Sequence, residues 1–420
     1  MQISLNIPQK VTARIALPAS KSVSNRALLL QALCPQQCYA IGNLAVCDDT
    51  DHMRQGIDAK RAGASLIDIG ATGTAMRFLT AYLAITEGTT VITGSERMQQ
   101  RPIGTLVEAL RTLGADITYI NKEGYPPLRI CGKKLQGGEL EIEAGISSQY
   151  ISALLMIAPR LTDGLTLRLK GNIASRTYIE LTLDLMRKYG AKAEWTDEHT
   201  IRVSPGEYKD IPFAVEGDWS AASYWYELTA IAARKGHDVE LLLQGLTPDS
   251  HQGDRVVAQM FESLGVKTEY TDEGARVIAD NRQRTTDNSE FRIQNSELDF
   301  THCPDIAQTL AVTCCMLDIP YRFRGVHSLR IKETDRVAAL IAELHKLGYV
   351  LRAEGDECLV WDGMRCEPEE HPTIATYDDH RMAMAFAPAA LCHDGLSIEH
   401  PEVVTKSYPE FWEDLKQIED

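Results

Sequence analysis

Two short segments of this chain combine cations, hydroxyls and carboxylates in a way that could support chemistry. The segment SKSVSNR begins at Ser20 and places Lys21 and Arg26 among three serines, and LRIKETDR brings Lys332, Glu333 and further cations together. Ammonium and guanidinium groups bind phosphate and carboxylate groups, and a carboxyl group held among cations can move a proton. Both segments therefore predict a site for an anion, although each could also be an ordinary helix start beside solvated charges.

Further cations recur where helices are predicted to begin. A helix N-terminus offers unpaired N–H groups and the positive end of the helix dipole, so it attracts anions. The cations at such starts are Lys21, Arg26, Arg77, His380 and Arg381 on apolar helices and Arg101, Arg176, Arg255 and Arg336 on amphipathic ones. One such residue alone would indicate a surface ion pair, but the recurrence favours binding of phosphate or carboxylate.

The elements that must position these residues form a repeat. An amphipathic helix, a glycine and a strand recur at Gly114, Gly190, Gly265 and Gly348, at separations of 76, 75 and 83 residues. Upstream of each copy lies a helix that is apolar on almost all sides, which is typical of a core. Two more helix pairs, at the two ends of the chain, give six units of a βαβ type.

The length of the chain divides these units between two domains. A single core rarely exceeds about 300 residues, and this chain has 420. Three units per domain, with a boundary near residues 212–216, is the natural division. The first predicted strand, MQISLNIP, could join the sheet of either domain, and the polar segment ADNRQRTTDNSEFRI predicts a surface hairpin or loop.

Composition excludes several classes of function. A net charge of −16 and a pI near 5.2 disfavour nucleic-acid and anionic-membrane partners. Neither a signal peptide nor an apolar stretch of 18 residues is found, which predicts a cytoplasmic protein. The ten cysteines are scattered, form no CxxC pair and have no ligands at zinc spacing, so we expect reduced thiols and no metal site.

Motifs that run in order along nearly the whole chain resemble the pattern of the 5-enolpyruvylshikimate-3-phosphate synthases, a family of enolpyruvyl transferases. Besides SKSVSNR and KETDR, they are GATGTAMRFLTA, RPIGTLVEALRTLGA, SSQYISALLM, YIELTLDLMRKYGA, VEGDWSAASY, PDIAQTLA, DDHRMAMAFA and TKSYPEFW. The resemblance implies an α/β fold of two similar domains, each an inside-out barrel of three βαβαββ-type units around buried helices. It implies that residues 19–215 form one domain, that residues 1–18 join 216–420 in the other, and that the active site lies in the cleft between them.

The resemblance also implies a reaction and its ligands. The family transfers the enolpyruvyl group of phosphoenolpyruvate to the 5-hydroxyl of shikimate 3-phosphate through a tetrahedral intermediate, in chorismate and aromatic amino acid biosynthesis. It implies a cytoplasmic monomer that needs no metal or organic cofactor. By position, the resemblance assigns shikimate 3-phosphate to Lys21, Ser22, Arg26, Ser147, Ser148, Gln149, Ser175, Tyr178, Asp305, Ser328 and Lys332. It assigns phosphoenolpyruvate to Lys21, Gly73, Arg101, Gln149, Arg336, His380, Arg381 and Lys406.

The same resemblance names the groups that would move protons. Asp305 matches the base that takes the hydroxyl proton, and Glu333 matches the acid that protonates the methylene carbon. Lys21 is an alternative base or proton shuttle, because a buried ammonium changes its pKa readily. Which of the three performs each transfer stays open at this stage.

Three positions depart from the family pattern. Ala71 and Ser328 stand where members often have asparagine, and Phe78 stands where many have proline, so sensitivity to glyphosate is not implied. A homologue that binds without turnover is therefore one alternative. The other is the sister transferase that acts on UDP-N-acetylglucosamine; it usually has a lysine–asparagine pair and a reactive loop cysteine, whereas here Ser22 follows the lysine and Cys131 lies in a predicted strand.

Overall fold

The computed structural model describes residues 1–2, 7–145, 147–173, 175–279 and 296–419. The chain divides into two compact units. Residues 20–215 form one, called here the 20–215 unit, and residues 1–19 with 216–420 form the other, called the 216–420 unit. Each is described by itself below.

The described residues contain short strands and helices in regular alternation. The strands are β1 (Lys10–Ala16), β2 (Ile41–Gly42), β3 (Leu66–Asp68), β4 (Gly88–Thr93), β5 (Asp116–Tyr119), β6 (Leu128–Gly132), β7 (Gly138–Glu143), β8 (Leu165–Lys170), β9 (Ala193–Trp195), β10 (Thr200–Val203), β11 (Phe213–Ala214), β12 (Asp238–Gln244), β13 (Val266–Thr271), β14 (Gly274–Ala279), β15 (Ser296–Asp299), β16 (Tyr321–Arg324), β17 (Arg352–Glu354), β18 (Cys358–Trp361), β19 (Thr373–Ile374) and β20 (Ser397–Ile398). The α-helices are α1 (Lys21–Ala32), α2 (Asp48–Arg61), α3 (Gly73–Ile85), α4 (Glu96–Gln99), α5 (Gly104–Thr112), α6 (Ser148–Ile157), α7 (Arg176–Lys188), α8 (Trp219–Arg234), α9 (Val257–Glu262), α10 (Ala307–Met316), α11 (Arg336–Lys346), α12 (His380–Phe386) and α13 (Phe411–Lys416). Turns of 3-10 helix lie at Ala158–Arg160, Gly253–Val256, Pro304–Ile306, His327–Ile331, Ala387–Leu391 and Pro401–Lys406.

The larger sheets share one topology. In the 20–215 unit the strand orders are β3-β4-β6-β5 and β7-β8-β10-β9, and in the 216–420 unit they are β1-β12-β14-β13 and β15-β16-β18-β17. In each sheet the first two strands are parallel and the last two are antiparallel. A buried helix crosses between the parallel strands in three of the sheets, whereas the chain between β1 and β12 includes the whole 20–215 unit. This confirms the α/β fold built from βαβαββ units. Each of the two units also contains a third repeat, which has only one parallel pair of strands among the described residues. These pairs are β2 with β11 and β19 with β20.

The first described strand follows the predicted strand MQISLNIP in the chain. Residues 3–6 of MQISLNIP lie outside the described residues, and the described strand is β1, which begins at Lys10. It pairs in parallel with β12, with Lys10 opposite Asp238, and so belongs to the 216–420 unit. The segment predicted to form a surface hairpin, residues 279–293, lies outside the described residues except for Ala279, which ends β14.

The two predicted classes of helix are confirmed. Every residue of α10 is buried, and α3, α6 and α8 are buried along nearly their whole length. The glycines after the amphipathic helices adopt the left-handed conformation of a C-cap, with φ of 96° at Gly114, 88° at Gly190, 81° at Gly265 and 92° at Gly348. No helix in the described part of the chain is long and apolar enough to cross a bilayer.

The core of the 216–420 unit contains an acidic side chain. Glu227 lies on α8 and is 0% exposed, beside Thr313 of α10. Burial raises the pKa of Glu227 well above its ordinary value, and the Thr313 hydroxyl opposes this only in part. The folded protein therefore holds Glu227 as the neutral acid over a pH range in which the unfolded chain has lost the proton.

We expect Glu227→Gln to stabilise the protein at neutral and alkaline pH. Because the folded pKa is raised, the stability of the parent is fully present below the unfolded pKa and falls as the pH rises toward the folded pKa. Glutamine stays neutral, so its free energy of unfolding should exceed that of the parent by about 1–3 kcal/mol at pH 8, with a smaller gain at pH 4.5. Urea unfolding at both pH values measures the difference. The exposed Glu262→Gln is the control, and a gain independent of pH would contradict the prediction.

Candidate functional site

In the 216–420 unit, helix starts and short turns present a group of charged side chains. Asp305 lies in the 3-10 helix Pro304–Ile306, and Arg336 is the first residue of α11. The N-cap of α11 is Asp335, whose carboxylate accepts from the N–H of Ala338 at 3.0 Å. Capping of this kind fixes where the helix begins, and so fixes the side chain that follows it.

Arg336 is the centre of this group. Its Nε lies 2.7 Å from Asp379 Oδ2, its Nη1 3.2 Å from Asp305 Oδ1 and its Nη2 3.1 Å from Glu333 Oε2. The side chain is 1% exposed. Burial by itself lowers the pKa of Arg336, but the three carboxylates outweigh it and raise the pKa above its ordinary value. Arg336 is therefore a fixed positive charge that joins three acids from three parts of the chain.

Two lysines also contact these acids. Lys406 Nζ lies 2.8 Å from Glu333 Oε1, and Lys332 Nζ lies 3.5 Å from Asp305 Oδ1. Glu333 thus contacts two cations and Asp305 contacts Lys332 and Arg336 as well as Arg381 of α12. Carboxyl groups placed in this way can exchange protons with a ligand while the nearby cations hold its anionic parts.

The start of α12 adds two more of the predicted residues. Asp379 caps the helix by accepting from the N–H of Arg381 at 3.0 Å, and His380 Nδ1 lies 3.6 Å from Asp379 Oδ1. Arg381 lies 3.4 Å from Asp305 Oδ2, from Ser220 Oγ and from the hydroxyl of Tyr224. The start of α12 thus brings a second guanidinium to Asp305, which Arg336 also contacts.

In the 20–215 unit, Arg26 bridges helices instead of facing solvent. Its Nε donates to Thr182 Oγ1 at 2.7 Å, its Nη1 to the carbonyl of Ser22 at 2.9 Å and its Nη2 to Ser152 Oγ at 3.2 Å. Burial lowers the pKa of Arg26 to about 10, and Tyr178 opposes the shift. The residue therefore stays charged at neutral pH and ties α1 to α6 and α7.

Aromatic rings lie close to the same guanidinium. The Cζ atom of Arg26 is 5.4 Å from the ring centroid of Phe78 and 5.7 Å from that of Tyr178, distances typical of a cation–π contact. Phe78, one of the three departures from the family pattern, is thus a core residue of α3. Ala71 is exposed just ahead of α3, and Ser328 is half-buried in the 3-10 helix His327–Ile331.

The predicted serines and Lys21 lie at or beside helix starts. Ser147 is the N-cap of α6 and accepts from the N–H of Gln149 at 3.3 Å, with Ser148 between them. Ser175 precedes α7 in the left-handed conformation, with φ of 53°. Lys21 Nζ forms an ion pair of 2.9 Å with Asp49 Oδ2 of α2.

Gly73 and Arg101 lie against each other at the start of α3. A Cβ atom on Gly73 would lie 2.7 Å from Arg101 Nη1, so only glycine leaves room for the guanidinium. Arg101 is 8% exposed, and its Nε has no hydrogen-bond partner among the described residues. Gln149 reaches the same helix start, where its Nε2 donates to Thr74 Oγ1 at 3.2 Å. A buried guanidinium with an unmatched donor suits an anionic ligand.

Not every predicted cation belongs to these groups. Arg176 lies over the ring of Trp195, with its Cζ 4.1 Å from the ring centroid, and Arg255 is exposed and donates to the carbonyl of Pro248. Arg176 is half-buried and Arg255 is exposed, and their binding of an anion stays a prediction. Conversely, Asp379 and Asp49 were not singled out from the sequence, although each belongs to an Asp–Asp pair at a helix start.

Known proteins are similar to this chain along nearly its whole length. Residues 5–65 and 59–415 match the family model described as EPSP synthase (3-phosphoshikimate 1-carboxyvinyltransferase). A 3-phosphoshikimate 1-carboxyvinyltransferase of Bacteroides fragilis is 52% identical over 417 residues, covering 99% of this chain and 98% of its own. One of Photobacterium profundum is 37% identical over 441 residues, with 99% and 98% covered.

Solved structures agree in fold. An EPSP synthase from Acinetobacter baumannii superposes with a TM-score of 0.74 at 19% identity, covering 100% of this chain and 98% of that chain. At this identity the likeness shows the fold alone, whereas the family model and the full-length relatives match by sequence. The chain therefore belongs to the EPSP synthase (3-phosphoshikimate 1-carboxyvinyltransferase) family.

Proposed function

We propose that this protein transfers the enolpyruvyl group of phosphoenolpyruvate to the 5-hydroxyl of shikimate 3-phosphate and releases phosphate. In the first step the hydroxyl oxygen bonds to C2 of phosphoenolpyruvate, the hydroxyl proton leaves, and C3 gains a proton. In the second step the C2–O bond to phosphate breaks and C3 loses a proton. The single observation that carries the proposal is the pair of carboxyl groups, Asp305 and Glu333, held on the buried Arg336.

The two proton transfers need two groups with different surroundings. We assign Asp305 as the base toward the 5-hydroxyl and Glu333 as the acid toward C3. Their contacts support separate roles, because Asp305 is shared with Lys332 and Arg381 whereas Glu333 is paired with Lys406. Lys21 is engaged by the buried carboxylate of Asp49, so we assign it to holding the anionic ligands.

Shikimate 3-phosphate is proposed to bind mainly at the helix starts of the 20–215 unit. Hydroxyls and backbone N–H groups at a helix start hold phosphate oxygens, and α6 and α7 both have a serine at the N-cap position. The proposed contacts are Lys21, Ser22, Arg26, Ser147, Ser148, Gln149, Ser175 and Tyr178, with Asp305, Ser328 and Lys332 from the other unit. The inward hydrogen bonds of Arg26 make it a support for this site more than a direct contact.

Phosphoenolpyruvate carries both a phosphate and a carboxylate, so it needs several cations. We propose that these are Lys21 and Arg101, with Gly73 and Gln149, and Arg336, His380, Arg381 and Lys406 from the 216–420 unit. The unmatched Nε of Arg101 supports this assignment. We further propose a cytoplasmic monomer that works without a metal or organic cofactor.

Supplying both substrates and measuring phosphate and the enolpyruvyl product tests the reaction. We expect both products in equal amounts, and the same rate after treatment with EDTA. Binding of shikimate 3-phosphate without phosphate release would favour a homologue that has lost turnover. Phosphate release with UDP-N-acetylglucosamine in place of shikimate 3-phosphate would favour the sister transferase.

Gly73→Ala tests whether Arg101 contributes to the binding of phosphoenolpyruvate. The added Cβ would lie 2.7 Å from Arg101 Nη1 and 2.8 Å from Nη2, so the guanidinium must move while the backbone stays in place. We expect the KM for phosphoenolpyruvate to rise roughly tenfold, which equals the loss of about 1.4 kcal/mol of charge-assisted hydrogen bonding. The KM for shikimate 3-phosphate should stay close to that of the parent.

Gly206→Ala is the matched control for this substitution. A Cβ on Gly206 meets nothing within 4 Å, so this variant should keep both KM values of the parent. Steady-state kinetics with each substrate varied in turn gives the comparison. An unchanged KM for phosphoenolpyruvate in Gly73→Ala would remove Arg101 from the proposed site.

A further inference from the structure

A buried carboxyl group that none of the roles above uses lies close to Arg381. Asp254 belongs to the 3-10 helix Gly253–Val256 and is 3% exposed. Its Oδ2 is hydrogen-bonded to Ser220 Oγ, near the start of α8. Its Oδ1 has no hydrogen-bond partner in the described part of the chain. Burying an acid with one unmatched oxygen costs folding free energy, so this position calls for an explanation.

Ser220 connects this acid to the charged group described above. Ser220 Oγ lies 3.4 Å from Arg381 Nη2, and the same nitrogen lies 3.4 Å from Asp305 Oδ2. A guanidinium can only donate, whereas a hydroxyl both donates and accepts. Arg381 therefore donates to Ser220, whose own proton can point to the ionised Asp254. Arg381 is thus placed between Asp305 on one side and the Ser220–Asp254 pair on the other.

The charge of this group changes with the protonation of Asp254. The cations are Lys332, Arg336, Arg381 and Lys406, and the acids are Asp254, Asp305, Glu333 and Asp379, with Asp218 also close enough to act on Asp254. A proton on Asp254 removes one negative charge from this group, which favours an anionic ligand.

The surroundings of Asp254 place its titration near neutral pH. Burial and the charge of Asp305 raise the pKa of Asp254 to about 7, while Arg381 and the Ser220 hydroxyl oppose the shift. Asp218 of the same unit also raises it, and the nearby thiol of Cys303 has its own pKa raised, by burial first and then by Asp254. Asp254 can therefore change its protonation over the pH range in which the enzyme would work.

We propose that Asp254, acting through Ser220, is a positioning residue that holds Arg381 and sets the charge it presents to phosphoenolpyruvate. The inference rests on the function proposed above and deepens it. When Asp254 carries a proton, it adds no negative charge beside Arg381, and the guanidinium can hold an anionic group of the ligand. When Asp254 is ionised, it draws the Ser220 hydroxyl and Arg381 toward itself and cancels one positive charge, so the ligand binds more weakly.

The test compares the parent with Asp254→Asn, which keeps the shape of the side chain and cannot ionise. The KM for phosphoenolpyruvate is measured from pH 6 to pH 8.5 in both proteins, and the ratio of parent to variant is taken at each pH. Ionisation of the substrate is the same for both and cancels in this ratio. We expect the ratio to rise by up to about tenfold through neutral pH, with the kcat ratio constant. A KM ratio that stays flat would overturn the proposal.

Two further variants separate positioning from a general effect on folding. Ser220→Ala removes the link between Asp254 and Arg381 and should reduce the rise of the KM for phosphoenolpyruvate with pH, whereas Ser220→Thr keeps the hydroxyl and should keep that rise. If Asp254→Asn does not fold, this pair decides, and an equal pH dependence of the KM in both would overturn the proposal. Glu227→Gln alters a different buried acid, which lies on α8 and contacts none of these residues. The ratio of the parent's KM for phosphoenolpyruvate to that of this variant should therefore stay constant with pH.

A failure of the role proposed for Asp254 can be distinguished from a failure of the proposed reaction. If the parent releases no phosphate, the proposed function is overturned. In that case calorimetry measures the dissociation constant of phosphoenolpyruvate in the presence of shikimate 3-phosphate, and the ratio of parent to Asp254→Asn is taken at each pH as before. A rise of that ratio with pH supports the role of Asp254, and a flat ratio overturns it.

Discussion

Replacing Asp305 by asparagine should lower kcat by about 10²–10⁴-fold, the usual contribution of a positioned general base. Asparagine has the same shape and keeps an oxygen that can accept from Arg336 or Lys332, which now lie 3.2 Å and 3.5 Å from Asp305 Oδ1. What it loses is the ability to take the hydroxyl proton. The KM values should change much less than kcat, and rapid-mix measurement of a single turnover would show the chemical step slowed.

The matched control for this variant is Asp299→Asn. Asp299 is an exposed residue at the end of β15 whose carboxylate accepts from the N–H of Thr301 at 2.8 Å. Asparagine can make the same local hydrogen bond, so this variant should keep the kcat of the parent. A near-normal kcat in Asp305→Asn would remove Asp305 as the base and leave Lys21 as the alternative.

Glu333→Gln distinguishes the two proton transfers. If Glu333 protonates C3, a reaction run in D2O with the parent should incorporate deuterium into the methylene group of unreacted phosphoenolpyruvate, because addition of the proton is reversible. We expect this exchange to fall about as far as kcat in Glu333→Gln. Exchange at the rate of the parent would show that another group protonates C3.

The repeating elements of this fold could be predicted because local physics decides them. An apolar helix such as α10 must be buried wherever it lies in the chain, and a glycine such as Gly348 ends an amphipathic helix by adopting a φ that other residues avoid. Strand pairing was harder, because the period of two residues reveals a strand and not its partner. The pairing of β1 with β12 joins residues more than 200 positions apart.

The charged groups show the same limit more clearly. The pattern Asp–Asp–His–Arg predicts a helix start, but only the structure shows that Asp378 takes a left-handed conformation while Asp379 caps α12 and reaches Arg336, 43 residues away. Arg26 was expected at the surface of a ligand site, yet its donors go to Thr182 and Ser152. Both partners lie within apolar stretches, where sequence alone favours packing over hydrogen bonding.

Arg336→Met is expected to destabilise the protein by about 3–5 kcal/mol, which is the usual cost of removing one partner from a buried ion pair. The substitution keeps most of the volume of the side chain and leaves Asp305, Glu333 and Asp379 close together without the cation that joins them. Of these, Asp379 is 0% exposed and lies 2.7 Å from Arg336 Nε, so its loss of a partner should dominate. Urea unfolding at pH 7 measures the difference.

A comparison with an arginine from the same segment shows why burial sets the size of this effect. Arg330 also contacts two acids, Asp335 at 3.1 Å and Asp356 at 3.3 Å, but its side chain is 25% exposed and that of Asp356 is 83% exposed. Water can replace the lost partner there, so Arg330→Met should cost less than about 1 kcal/mol. In Arg336→Met, adding Asp379→Asn removes the most deeply buried unpaired charge and should restore part of the stability. If the double variant lost more free energy of unfolding than the two single variants lose together, the repulsion among the three carboxylates would not be the cause of the loss.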